Sequence, residues 1–320
     1  MTTSNTQSTL AMVFPGQGSQ SLGMLSALAD EFPQVGETFA EASSVLGYDL
    51  WDRVQNGPLE ALNQTACTQP AMLAAGVATW RCWQARSDAV PALMAGHSLG
   101  EYSALVCAGA IGFAEAVALV EKRGEYMQNA VPEGIGAMAA ILGLDDAQVE
   151  AVCAEAAQGE VVSAVNFNSP GQVVIAGHAA AVDRAMGLAK EAGAKRALPL
   201  PVSVPSHCSL MAPAAERLAE QLAAIAIQTP AIPVIHNVDA MPHAEPAAIR
   251  EALATQLYRP VRWVECVRAM QAQGVNTLVE AGPGKVLAGL TKRIEKTLSG
   301  IPIQNPDDLN KVIGLVRQET

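Results

Sequence analysis

Gly96-His97-Ser98-Leu99-Gly100 is a G-x-S-x-G pentapeptide, and its serine is a candidate covalent nucleophile. The apolar run Ala92-Leu93-Met94-Ala95 precedes it, and the helix-compatible run Glu101-Tyr102-Ser103-Ala104-Leu105-Val106 follows. Strand, sharp turn and helix form the context in which this motif carries meaning. Flanking glycines remove the Cβ atoms that would collide at such a turn. The following helix aims its free N–H groups and positive end at the serine. A plain glycine-rich strand–helix turn is the alternative, so the rest of the chain must supply partners.

A serine hydroxyl attacks an acyl group only when a base takes its proton. The chain has five histidines. His97 adjoins Ser98, and strand–turn geometry points it elsewhere. His178 and His243 sit at loop or helix starts and read as surface residues. His236 ends a short strand and reads either way. His207 lies in Val202-Ser203-Val204-Pro205-Ser206-His207-Cys208, where a segment of different character returns to the main body of the chain. Loops at such junctions gather catalytic groups, although a satisfied structural histidine is the competing reading. No acidic residue between Ser98 and His207 stands in an obvious triad setting.

The elements that must position these residues are legible in outline. Leu10 to Phe14 reads as a buried strand ending at the breaker-rich loop Pro15-Gly16-Gln17-Gly18-Ser19-Gln20. Helical patterns fill the region up to the Ser98 strand, and another helix runs from Gly112 to Gln128. Between 133 and 205 the pattern changes. It reads as a strand (Ile135 to Leu144), a helix with Asp145 as N-cap, two strands joined by the turn Asn168-Ser169-Pro170-Gly171, a helix (Ala179 to Ala192) and a strand (Lys195 to Val202). That β-α-β-β-α-β order is the ferredoxin-like unit. It predicts a small subdomain, residues 133–205, inserted into a large α/β domain made of 1–132 and 206–320. After 206, helices alternate with short apolar strands, which predicts a mostly parallel sheet covered on both faces. The tail after about Ile301 reads as a strand and helix.

Composition limits the function. Half of the 320 residues are hydrophobic, enough for a substantial core. No apolar stretch reaches the length of a membrane span, and the start Met1 to Thr9 is polar and uncharged, unlike a signal peptide. These features predict a cytoplasmic protein with a short frayed N-terminal tail. The six cysteines are scattered, with no C-x-x-C pair, so no metal site is expected. A net charge of −11 argues against general nucleic-acid binding.

Four motifs occur in order: Pro15-Gly16-Gln17-Gly18-Ser19-Gln20, Gly96-His97-Ser98-Leu99-Gly100-Glu101-Tyr102, Val204-Pro205-Ser206-His207 and Ala281-Gly282-Pro283-Gly284. In this register, over roughly residues 10 to 295, the chain resembles the malonyl-CoA:acyl carrier protein transacylases of type II fatty-acid synthesis. The resemblance implies an α/β-hydrolase-like core with a ferredoxin-like insert, as the element pattern already predicts. It implies Ser98 as nucleophile and His207 as general base, the latter oriented by the backbone carbonyl of Gln256 in place of a carboxylate. It implies an oxyanion hole from the backbone N–H groups of Leu99 and Gln17. It implies that Arg123, otherwise an ordinary surface arginine on a helix, binds the free carboxylate of a malonyl group. That role suits a planar guanidinium, which meets a carboxylate with two parallel hydrogen bonds. Asn166 and Asn168, on or beside a strand of the insert, are candidates to line the cleft, with a turn role open for Asn168. The implied substrates are malonyl-CoA and acyl carrier protein, with no cofactor, no membrane, no nucleic acid and a monomeric state.

Both of those carriers are acidic, so a locally basic rim is expected despite the overall charge; Lys195, Arg196, Arg259, Arg262 and Lys285 are its candidates. Three other classes fit parts of the pattern. A serine esterase needs the order serine, acid, late histidine, whereas 77 residues follow the last histidine, His243. A related acyltransferase with another acyl group and a carrier-docking scaffold with a dead site complete the alternatives.

Overall fold

The computed structural model describes residues 9–132, 134–202 and 204–319. Residues 1–8 of the expected N-terminal tail (Met1 to Thr9) and Ser203 of the His207 motif lie outside the described residues. The strands are β1 (Leu10–Phe14), β2 (Leu93–Gly96), β3 (Gly136–Leu142), β4 (Val162–Ser169), β5 (Gln172–His178), β6 (Arg196–Pro199), β7 (Val234–Ile235), β8 (Thr277–Ala281) and β9 (Ser299–Ile303). They form two sheets, one ordered β7-β2-β1-β8-β9 and the other β4-β5-β3-β6.

Every pairing in the first sheet is parallel. A parallel strand needs a crossover to reach its neighbour, and the crossover helices cover both faces. This explains why β1 is apolar at every position rather than alternating. Leu10, Met12 and Phe14 pack into one core and Ala11 and Val13 into the other. The register pairs Phe14 with Gly96, and His97 N–H donates to the Phe14 carbonyl at 3.0 Å. The Pro15–Gln20 loop is therefore set beside the Ser98 turn by the ladder itself.

The second sheet is antiparallel and follows the β-α-β-β-α-β order expected of the insert. Its helices, Asp146–Ala157 and Ala179–Glu191, pack on one face with Ala139, Ile141, Val173 and Ile175. Asp145 caps the first helix through a reciprocal box: Gln148 N–H donates to its Oδ1 at 2.8 Å and Asp145 N–H to Gln148 Oε1 at 3.0 Å. The opposite face, with Met138, Val165 and Val174, packs against Cys208 beside His207. One edge of this sheet is pinned to the rest of the chain. Phe167 N–H donates to the Val261 carbonyl at 3.0 Å and Val261 N–H to the Val165 carbonyl at 2.8 Å.

Two expectations change. The last strand of the insert covers Arg196–Pro199, not 195–202. Pro199 and Pro201 have no N–H to extend a ladder. Asn168 is a strand residue near the end of β4, and the turn is confined to Pro170 and Gly171. The tail forms β9, a fifth strand on the parallel sheet, and the helix Pro306–Glu319. Among the described residues, no helix is long and apolar enough to cross a membrane.

Candidate active site

Ser98 sits between β2 and the helix Gly100–Cys107 with φ +52°, a left-handed conformation that side chains rarely adopt. The turn tolerates it because its flanks are glycines. A Cβ on Gly96 would lie 1.8 Å from the Gly100 carbonyl carbon, and one on Gly100 would lie 2.0 Å from the Phe14 oxygen. The turn is also stapled by Asn237. Its Oδ1 accepts from Ser98 N–H at 2.7 Å, and its Nδ2 donates to the Gly96 carbonyl at 2.7 Å.

His207 is brought to Ser98 from the far side of the insert. Its backbone N–H donates to the Leu257 carbonyl at 2.9 Å. Its Nδ1 lies 2.7 Å from the Gln256 carbonyl oxygen. A carbonyl only accepts, so Nδ1 carries the hydrogen and Nε2 presents a lone pair. That lone pair faces Ser98 Oγ at 2.8 Å. Burial pushes the imidazole pKa down to about 3, and the Arg123 charge adds to the effect, so the ring is neutral at physiological pH. A neutral imidazole with a fixed tautomer can accept the serine proton.

Arg123 lies on the helix Phe113–Ala130, 1% exposed. Its Nη1 donates to Gln69 Oε1 at 2.8 Å, and its Nη2 donates to Gln256 Oε1 at 2.9 Å. Nη2 also lies 3.4 Å from Ser98 Oγ. The guanidinium carbon stands 5.4 Å from the centre of the Tyr102 ring. Its Nε is buried without a partner.

Gln256 joins more groups than its carbonyl alone suggested. Its Nε2 donates to the Ser98 carbonyl at 3.0 Å and to Glu101 Oε2 at 2.9 Å. Glu101 is completely buried and accepts from three donors: Gln256, Asn237 N–H at 2.9 Å and His236 Nδ1 at 2.7 Å. Gln69, Glu101 and Asn237 were not singled out from the sequence. Nothing local marks them, because each acts across 19 or more residues of chain.

The remaining sequence candidates fall as follows. Leu99 and Gln17 line a cavity of about 110 Å³ over Ser98, together with Arg123, His207 and Asn166. Among the described residues, the backbone N–H groups of Leu99 and Gln17 donate to no protein acceptor. Asn166 on β4 has a buried Oδ1 without a partner. His97 does not leave the site as expected: it lines the same cavity, and its Nε2 lies 2.8 Å from Asn168 Oδ1 of the insert. Because that oxygen accepts, His97 Nε2 carries a hydrogen. His178 Nδ1 accepts from Val161 N–H at 2.9 Å, and His243 pairs with Asp239 at 2.8 Å. The small cavity shares Gln17, His97 and Asn166 as lining residues with an outer cleft of about 560 Å³. Its walls come from the insert (Ala140, Gln172, Val174) and from the helix Val286–Ile294. Among the described residues, no group of three or more His, Cys, Asp or Glu side chains is arranged to hold a metal.

Residues 11–320 match the acyl transferase domain family. The chain belongs to this family. Among its acyl transferase relatives is the malonyl CoA-acyl carrier protein transacylase of Salmonella typhimurium, 62% identical over 303 residues, 95% of this chain and 98% of the relative. The enzyme of the same name from Bacillus subtilis is 46% identical over 98% of both chains. The fold superimposes on the crystal structure of an acyl carrier protein S-malonyltransferase from Vibrio cholerae with a TM-score of 0.94 and 63% identity, covering 95% of this chain and 100% of that one. It also matches a malonyl-transacylase solved in complex with a type II PKS acyl-carrier protein, with a TM-score of 0.95 and 60% identity over 96% of this chain and 100% of that one.

Proposed function

We propose that this acyltransferase moves a malonyl group from malonyl-CoA to the phosphopantetheine thiol of acyl carrier protein through a malonyl-serine intermediate, supplying fatty-acid synthesis. The observation that carries the reading is the buried Arg123 guanidinium 3.4 Å from Ser98 Oγ. A fixed cation beside the nucleophile suits an acyl group that ends in a carboxylate, with the two joined by parallel hydrogen bonds. A neutral acetyl group would leave the cation unpaired. Names and structures of relatives, including the carrier-protein complex, support the same substrates.

In this reading His207 Nε2 takes the Ser98 proton as Oγ attacks the thioester carbonyl carbon. The negative oxygen of the tetrahedral intermediate is held by the Leu99 and Gln17 N–H groups. The C–S bond breaks, and the proton on His207 passes to the coenzyme A sulfur. The carrier thiol then gives its proton to His207 and attacks the ester carbonyl, and Ser98 Oγ recovers a proton as it leaves. Asn166, which lines the cavity and whose buried Oδ1 has no protein partner, is a substrate-binding residue in this scheme. The acceptor of the His207 Nδ1 hydrogen is a peptide carbonyl, not a carboxylate, which separates the site from an esterase triad.

The reading needs no cofactor beyond the substrate's own coenzyme A. It includes a monomer acting in the cytoplasm: the six unpaired cysteines fit a reducing compartment, and light scattering tests the monomer. Incubating the protein with malonyl-CoA and then with holo acyl carrier protein tests the whole scheme. Mass spectrometry should show a malonyl adduct on Ser98 that disappears as malonyl carrier protein forms. Free malonate released at the same rate without carrier would make the protein a hydrolase.

A further inference from the structure

We propose that Gln69 sets acyl-group specificity by holding the Arg123 guanidinium without neutralising it. The inference rests on Arg123 as the receiver of the malonyl carboxylate.

Gln69 belongs to the helix Thr65–Arg86 and is 1% exposed. It makes no hydrogen bond to Ser98 or His207. Its Oε1 accepts from Arg123 Nη1 at 2.8 Å, and its Nε2 donates to Met127 Sδ at 3.4 Å. A thioether only accepts and a guanidinium only donates, so the amide has one sensible orientation. On the other side, the neutral Oε1 of Gln256 accepts from Nη2 at 2.9 Å. The guanidinium is thus positioned by two uncharged carbonyl oxygens. Among the described residues no carboxylate forms an ion pair with it. Glu101 reaches it only across the Gln256 amide.

Leaving a buried cation unpaired is costly, and a carboxylate would remove much of that cost. Glutamate differs from glutamine at this position by one heavy atom, an oxygen in place of the amide nitrogen. A glutamate at 69 would place a carboxylate within hydrogen-bond distance of Nη1, and the guanidinium would keep it ionised. The substrate carboxylate would then compete with a built-in anion for the same charge. Glutamine supplies the orienting bond and leaves the positive charge for the incoming acyl group.

The test compares Ser98 acylation by malonyl-CoA and by acetyl-CoA in four proteins: wild type, Arg123→Ala, Gln69→Glu and Gln69→Met. Gln69→Glu should lower kcat/KM for malonyl-CoA about 100-fold, mostly through KM, and change that for acetyl-CoA by less than about fivefold. Gln69→Met removes the orienting acceptor without adding charge. It should raise KM for malonyl-CoA about tenfold while malonyl stays preferred over acetyl. An unchanged malonyl-to-acetyl ratio in Gln69→Glu would overturn the proposal. So would an equal collapse of that ratio in both Gln69 variants, because Gln69 would then act through shape alone. An unchanged malonyl KM in Gln69→Met would overturn it as well, even if Gln69→Glu failed to fold. Preference for malonyl surviving in Arg123→Ala would sink the underlying reading of Arg123 instead.

Discussion

At the scale of single residues, the site depends on keeping one histidine neutral beside one fixed cation. His207 has a pKa of about 3, against 6.5 for an ordinary imidazole, with burial as the first cause and Arg123 as the second. Between those two values the unfolded chain binds the extra proton. The stability this group contributes is therefore complete above pH 6.5 and is lost as pH falls towards 3. Catalysis should follow the folded-state value: kcat/KM for malonyl-enzyme formation should stay level from pH 7 down to about 5. An acid limb near 6.5 would contradict a neutral, buried base. Arg123→Ala removes a charge that lowers the pKa, so its acid limb should move to higher pH than that of the wild type. Ser98→Ala should lower turnover by roughly 10⁴-fold or more and leave no malonyl adduct by mass spectrometry. An adduct formed at another residue would reassign the nucleophile.

At the scale of elements, the site is an outcome of where strands stop. The register of β1 and β2 sets the Gln17 loop beside the Ser98 turn, and the two glycines let the backbone close on itself. Gly96→Ala forces a Cβ to 1.8 Å from the Gly100 carbonyl carbon. It should destabilise the fold by about 3 kcal/mol or more and abolish acylation. Gly187, in the helix Ala179–Glu191, has nothing within 4 Å of where a Cβ would sit. Gly187→Ala should instead stabilise by about 0.5–1 kcal/mol in thermal or denaturant unfolding. The same elements show what was legible in the sequence. Periodicity and caps locate the β-α-β-β-α-β unit, because an amphipathic helix or a hairpin is written in neighbouring residues. The Asp145 cap is such a local signal. Asn168 was ambiguous because its partner, His97, is 71 residues away. Glu101 was unreadable for the same reason. A glutamate in the first turn of a helix usually faces water, whereas this one is buried under His236, Asn237 and Gln256, all more than 130 residues away.

At the scale of the whole molecule, an acidic protein is proposed to receive acidic carriers, and its net charge of −11 repels them. The cations at the cleft mouth must act locally, within a Debye length of about 8 Å in physiological salt. The structure separates the sequence candidates by this criterion. Arg262 pairs with Glu265 and borders a different cleft, shared with Asp146 and Glu150. Lys285 is exposed next to Val286 and Leu287, which line the outer cleft. Arg293, not singled out from the sequence, donates to Gln172 on that same wall at 2.7 Å. Lys285 also stands at the N-terminal end of the helix Val286–Ile294, where the helix dipole disfavours a cation. Fold stability alone does not account for a lysine there. Lys285→Glu should therefore leave the melting temperature unchanged or higher. It should raise KM for acyl carrier protein about tenfold at low salt without changing kcat. The difference should shrink in about 0.5 M salt, as screening shortens the reach of the charge. Arg262→Glu should leave the carrier KM unaltered. Equal effects of the two substitutions would mean that the carrier responds to net charge, not to a rim around the cleft.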